Sequence, residues 1–203
     1  MGTQQSSWLV VLVLLVANAT GGSALGQNSA SDRAPEQTVF DAEPDSGKML
    51  VQRPVKIPDS ALQVLRDTLA DGILNCLKAR GTTPEQVPAS WFLASAVRLN
   101  GPNEVDLIVL PNVPDIERSG RPVPGGCLLP ANGGPFWVLG PGIGSGRYGL
   151  FLATYGHRLE VLNSRTNRYR DIQIGTMSTR GSTTAVYKFT VQQYQLAEKK
   201  TEP

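Results

Sequence analysis

The sequence predicts an α+β domain in which one N-terminal amphipathic helix packs on an antiparallel sheet of about seven short strands. One segment, 58–79, spaces its apolar residues as a helix does. Seven later runs are rich in β-branched and aromatic residues and are divided by turn signals. With 15 Pro and 21 Gly in 203 residues, long helices have little room. A helix followed by strands, without alternation of the two, argues for α+β and against a parallel α/β sheet.

The helix begins at Pro58-Asp59-Ser60, a start signal. Leu62, Leu65, Leu69, Ile73 and Cys76 then recur at spacings of three and four, which places them on one face. Lys78 and Arg80 fall in the last turn, where the helix dipole favours cations, and Gly81 supplies the stop. The predicted strands follow: Trp91–Leu99, Val105–Leu110, Phe136–Leu139, Tyr148–Tyr155, Arg158–Leu162, Asp171–Met177 and Thr184–Val191. The first two are apolar on both faces, as covered central strands are. The last alternates cleanly, with Ala185, Tyr187, Phe189 and Val191 on one side.

The front of the chain reads as an export signal. Trp8 to Ala17 is an unbroken apolar run of ten residues, about half of what a bilayer crossing requires and in the range of a secretory signal. The expected organisation is a signal peptide over 1–26, a disordered tether over 27–56, the α+β domain over 57–197 and a disordered tail over 198–203. The protein is therefore expected to be exported, periplasmic or extracellular, with no stable membrane span.

Charge is unevenly placed although the net value is only +2. Residues 58–117 carry four Lys/Arg against eight Asp/Glu, and residues 118–197 carry nine against two, eight of the nine being Arg. Arg suits bidentate contact with carboxylate or phosphate. Three of these cations cluster in Arg165-Thr166-Asn167-Arg168-Tyr169-Arg170, so Arg165, Arg168, Tyr169 and Arg170 are the candidate binding residues. They suit an anion- or glycan-binding rim or an acidic protein; the plainer reading is a solvated turn. No longer basic stripe or aromatic platform accompanies them, which speaks against nucleic acid.

Other motifs point less far. Cys76 and Cys127 are the only cysteines, and an even pair in an exported chain is read first as a disulfide, with two separate thiols as the alternative. His157 is the only histidine and is in phase with Leu159 and Val161, as a strand-end residue is. A Ser–His–Asp or Cys–His site would have to use it, yet no nucleophile elbow accompanies it. One His and two Cys fall short of a zinc site. Gly144-Ser145-Gly146-Arg147-Tyr148-Gly149 has the letters of a dinucleotide loop, but the apolar run after it reads as a strand rather than a helix. Glu104 and Asp106, two apart, are expected to share a strand face; a carboxylate pair can do acid/base work, and the plainer reading is pairing with Arg98 across the hairpin.

Asp106-Leu107-Ile108-Val109, Cys127-Leu128-Leu129, Gly134-Pro135-Phe136-Trp137-Val138 and Thr166-Asn167-Arg168-Tyr169-Arg170-Asp171-Ile172 together carry a resemblance. Over residues 91–194 the chain resembles a loose group of uncharacterised exported bacterial proteins. It departs from them at Arg168, where Gly is more usual, and at Thr190-Val191-Gln192, where Phe-Asp-Gly is expected. The resemblance implies bacterial export and a strand-rich second half, and it transfers no activity and no site residue.

The functional expectation is an exported, non-catalytic binding domain with a macromolecular ligand, including the possibility of an inhibitor-like role, and no cofactor, catalytic residue or metal. The expected partner is an envelope macromolecule or an acidic protein. The alternatives are a small hydrolase using His157 and a structural assembly module.

Overall fold

Among the described residues, runs of apolar residues build ten antiparallel strands, divided equally between two sheets. The computed structural model describes residues 36–42, 51–112, 124–128, 133–142 and 146–203. One sheet is a meander of β2 (Pro54–Val55), β3 (Phe92–Val97), β4 (Asp106–Pro111), β5 (Gly134–Pro141) and β6 (Tyr148–Gly156). The other is a meander of β7 (Arg158–Thr166), β8 (Tyr169–Ser178), β9 (Gly181–Phe189) and β10 (Tyr194–Glu202), with β1 (Val39–Asp41) added beside β7. The chain changes sheets at His157.

The expected single helix on one seven-stranded sheet is therefore corrected. All seven predicted runs contain strand, but three further strands join them and the ten part five and five. Alternation along a strand tells which side chains share a face, and it does not tell which sheet the strand enters. The apolar pattern does differ between the sheets. In β4, Ile108 and Leu110 face the core between the sheets, while Leu107 and Val109 face the helices. Phe136 and Val138 on β5 likewise face the first core, and Trp137 and Leu139 the second. The second sheet is apolar on one side only, contributing Leu159, Val161, Ile172, Ile174 and Phe189 to the shared core. The result is three layers: helices, a sheet whose central strands are buried on both faces, and a sheet with a more exposed outer face.

The helix is also interrupted. Helix α1 spans Asp59–Asp67 and α2 spans Asp71–Ala79, with Ala70 extended (φ −62°, ψ 150°) as the first residue outside α2. The apolar period survives the break because Ala61, Leu65, Leu69, Ile73 and Leu77 all bury against one sheet face. The helix stop is as expected: Gly81 is left-handed (φ +70°), its N–H bonds the Lys78 carbonyl, and the Thr82 N–H bonds the Leu77 carbonyl. Cys76 on α2 is bonded to Cys127 in the short 3₁₀ turn Pro124–Leu128, with 5.7 Å between Cα atoms. A cross-link over 51 positions stabilises by about 4 kcal/mol on the chain-entropy account.

The expected outer boundaries of the domain shift as well. The predicted signal peptide, 1–26, lies outside the described residues, as do 27–35 and 43–50 of the predicted tether. The rest of that tether supplies β1 and β2, and Phe40 on β1 is completely buried between the sheets. A fully buried Phe contributes about 1.5–3 kcal/mol, enough to hold a three-residue edge strand. Residues 198–202, expected in the tail, continue β10 against β9, with Lys188 bridging to Glu198 at 3.2 Å. Among the described residues no helix is long and apolar enough to cross a membrane.

Candidate functional site

Both sheets turn at the same end of the molecule, and their turns surround a cleft of about 940 Å³. That is near the top of the range of roughly 300–1,000 Å³ for small-molecule sites. From the helix-covered sheet come Asn100 and Glu104 of the β3–β4 connection and the facing ends of β5 and β6. From the other sheet come Asn167 and Arg168, which join β7 to β8, and Thr190, Val191 and Gln192, which join β9 to β10. Val191 is 87% exposed at the rim.

Aromatic rings form the floor. In β6 the register moves from Val138↔Leu152 to Leu139↔Leu150, so Phe151 is an extra residue and its ring enters the core between the sheets. There it meets Phe189 edge-on at 5.2 Å and Tyr169 at 5.7 Å. Tyr169 stacks on Phe189 with centroids 3.7 Å apart, and Tyr194 closes the group from below, 5.2 Å from Phe189. The Tyr194 hydroxyl donates to the Arg170 carbonyl at 2.7 Å. Burial raises the Tyr169 phenol above its ordinary value, and the negative charges of Asp106 and Glu104 add to this. It is a neutral hydroxyl throughout the physiological range.

The β7–β8 turn brings together the four residues singled out from sequence and then gives them different work. Asn167 and Arg168 both have positive φ, 50° and 74°, which matches the twist of a two-residue hairpin. Asn167 tolerates that conformation, and its Nδ2 donates to the Phe189 carbonyl at 2.9 Å, tying one turn to the next. Arg165 donates through Nη1 to the carbonyls of Leu99 (2.9 Å) and Arg168 (2.7 Å). Arg170 is buried, donating to the Leu162 carbonyl at 2.8 Å and the Val161 carbonyl at 3.0 Å, and it pairs with Glu36 at 3.4 Å. Glu36 also accepts from the Arg98 N–H. Two of the three arginines thus hold main chain in place, and Arg168 alone lines the cleft, beside Tyr169.

The other candidates separate just as clearly. Strand β4 starts at Asp106, so Glu104 stands outside it and accepts from Asn100 Nδ2 at 3.1 Å. Asp106 is completely buried; its Oδ2 accepts the Leu99 N–H at 2.9 Å, and its Oδ1 has no partner among the described residues. Burial is the main reason its pKa is raised to about 6. The expected pairing with Arg98 is not formed: Arg98 Nε donates to the Pro102 carbonyl at 3.2 Å. His157 lies at the far end of the sandwich, where its Nδ1 accepts the Met177 N–H at 2.8 Å. Among the described residues, no group of three His, Cys, Asp or Glu side chains is arranged as metal ligands.

Sequence reasoning passed over Phe151, Phe189, Asn100 and Gln192 as site residues. Phe189 was legible only as a core residue from its alternation, and nothing local marks the others. They meet because four connections, far apart in the chain, end at one pole.

The fold and cleft together define a class: a two-sheet antiparallel sandwich, capped by helices on one face and open at one end. Comparison with known proteins adds no closer identity, since no protein family, curated protein or solved structure matches this chain.

Proposed function

We propose that this chain is an exported, non-catalytic binding domain that holds a macromolecular ligand of the envelope or extracellular space in the cleft at the end of the sandwich. The observation that carries the reading is Arg168. It occupies the second central position of a tight hairpin turn with φ 74°, where glycine is the easy choice. A non-glycine residue there costs about 1 kcal/mol. The cost falls on the one arginine of the cluster that lines the cleft. The hairpin requires the conformation, but not an arginine in it, and a costly side chain kept at a cleft supports a role for that side chain.

Export draws support from the Cys76–Cys127 bridge, which suits an oxidising compartment, together with the ten-residue apolar run at the front. The hydrolase alternative draws none from His157, because Nδ1 is occupied by the Met177 N–H and no carboxylate or hydroxyl bonds the ring among the described residues.

The test is retention of the purified full chain on washed, insoluble cell-envelope material. Wild type is expected to be retained. Arg168→Gly is expected to lose at least about five-fold in retention, or about 1 kcal/mol, without any fall in its unfolding midpoint. Met177→Ser, at the opposite end, serves as the control and is expected to bind as wild type does. Equal retention of Arg168→Gly and wild type removes the cleft as the site.

A further inference from the structure

We infer that the ligand of this cleft is a neutral, polyhydroxylated chain, a saccharide, rather than an acidic protein or other polyanion; the inference rests on the cleft being the binding site. Charge is the first argument. Among the described residues lining the cleft, Glu104 and Arg168 are the only charged ones, and they are of opposite sign. A polyanion site gains its affinity from several cations acting together. The two other arginines of the cluster do not line the cleft: Arg165 bonds the carbonyls of Leu99 and Arg168 through Nη1, and Arg170 is buried on those of Val161 and Leu162.

Hydrogen-bonding capacity is the second argument. Asn167 spends its Nδ2 on the Phe189 carbonyl, so that amide is held with its carbonyl oxygen left to accept, while Asn100 bonds both Glu104 and the Tyr169 hydroxyl. Gln192 adds an exposed amide and Arg168 a planar donor fork. The neutral Tyr169 phenol, bonded to the Asn100 side chain, places a further hydroxyl at the rim. Sugar hydroxyls are donors and acceptors at once, so they match a rim of this mixed character, which an all-acceptor phosphate or carboxylate ligand does not.

Apolar surface is the third. Half-buried Tyr169 borders the cleft over Phe189 and Phe151, and the ring group is fixed by mutual stacking rather than free to turn. The C–H face of a pyranose ring packs on an aromatic surface of this kind, whose electron-rich face attracts the positive edge of C–H groups.

Titration calorimetry of the purified full chain with soluble tetrasaccharides of glucose, mannose and N-acetylglucosamine, and with heparin and polyglutamate, tests this. At least one neutral tetrasaccharide is expected to bind, with an affinity that changes less than about two-fold between low and moderate salt. Tyr169→Ala is expected to weaken it about ten-fold. Because Tyr169 also packs in the core, Gln192→Ala, on the exposed rim, is the second variant, with an expected loss of about three-fold. If no tetrasaccharide binds, the saccharide inference is overturned. If only heparin or polyglutamate binds, steeply with salt and lost in Arg168→Gly, the ligand class is overturned while the cleft stands as the site. Saccharide binding indifferent to all three variants overturns the cleft itself.

Discussion

The two ends of the sandwich are made of opposite materials. At the cleft end the space between the sheets is occupied by Phe151, Tyr169 and Phe189, and the turns around it carry Asn100, Glu104, Arg168 and Gln192. At the His157 end the strands pack closely on Gly156, which has no room for a side chain. A Cβ on Gly156 would lie 2.6 Å from Ile174 Cγ2 and 2.9 Å from the Gly175 carbonyl oxygen. Main chain there is fully bonded: the His157 N–H donates to Gly175, its carbonyl accepts from Ala42, and its imidazole accepts from Met177. One end is propped by rings and the other is closed by glycine. Backbone bonded to backbone offers a ligand nothing, whereas turns standing around rings offer a floor and a rim. The only histidine, a natural suspect from sequence, sits at this second end, bonded through Nδ1 to main chain.

The most severe way to break this contrast is to remove a prop. Phe189→Ala is expected to cost about 3–5 kcal/mol, read as a lower urea midpoint. A loss below about 1 kcal/mol would mean that the rings fill the open end without supporting it. Next in size is the buried carboxyl of Asp106. Its pKa is raised in the folded protein from an ordinary 3.8 to about 6, so the native state binds that proton more tightly than the unfolded chain does. Stability from this group is therefore greatest below pH 3.8 and is lost as pH rises through about 6, by about 3 kcal/mol in all. Unfolding free energies measured from pH 4 to pH 7 are expected to show that decline in wild type relative to Asp106→Asn. Parallel curves would show that Asp106 is ordinary in solution.

At the sealed end, Gly156→Ala is expected to cost about 1–3 kcal/mol, since the new methyl must displace Ile174 and the Gly175 main chain. Retention of the native urea midpoint would show that the closure is looser than the contacts imply. The smallest effect sharpens the comparison most. Arg168→Gly relieves the left-handed backbone at the cleft and is expected to gain about 0.5–1 kcal/mol of stability while binding falls. A variant both less stable and equally retained would place Arg168 among the structural arginines with Arg165 and Arg170.

Much of the local structure was legible before the fold was known. The seven strand runs, the apolar stripe of the helices and the stop at Gly81 depend on neighbours a few residues away, and those interactions repeat at 2.0 or 3.6 residues. The break at Thr68–Ala70 escaped notice because Leu69 and Ile73 keep phase across it. β1 was missed because three residues are too few to show a period, and Phe40 is recognisable as a core residue only when Leu159 and Ile172 stand around it.

By itself, then, the chain's order of residues determined seven of the strand segments, the apolar stripe and stop of the helical region, and that Cys76 and Cys127 were the one pair available to bond within the chain. Tertiary structure alone decided that the ten described strands divide into two sheets, that Arg165 and Arg170 bond carbonyls away from the cleft while Arg168 lines it, and that Phe151, Tyr169 and Phe189 share one floor. The physical reason is range. Periodicity records what a segment needs on each face, but the partner that meets the need lies fifty or a hundred residues away, as Leu99 does from Arg165, and only the closed fold says which group arrives.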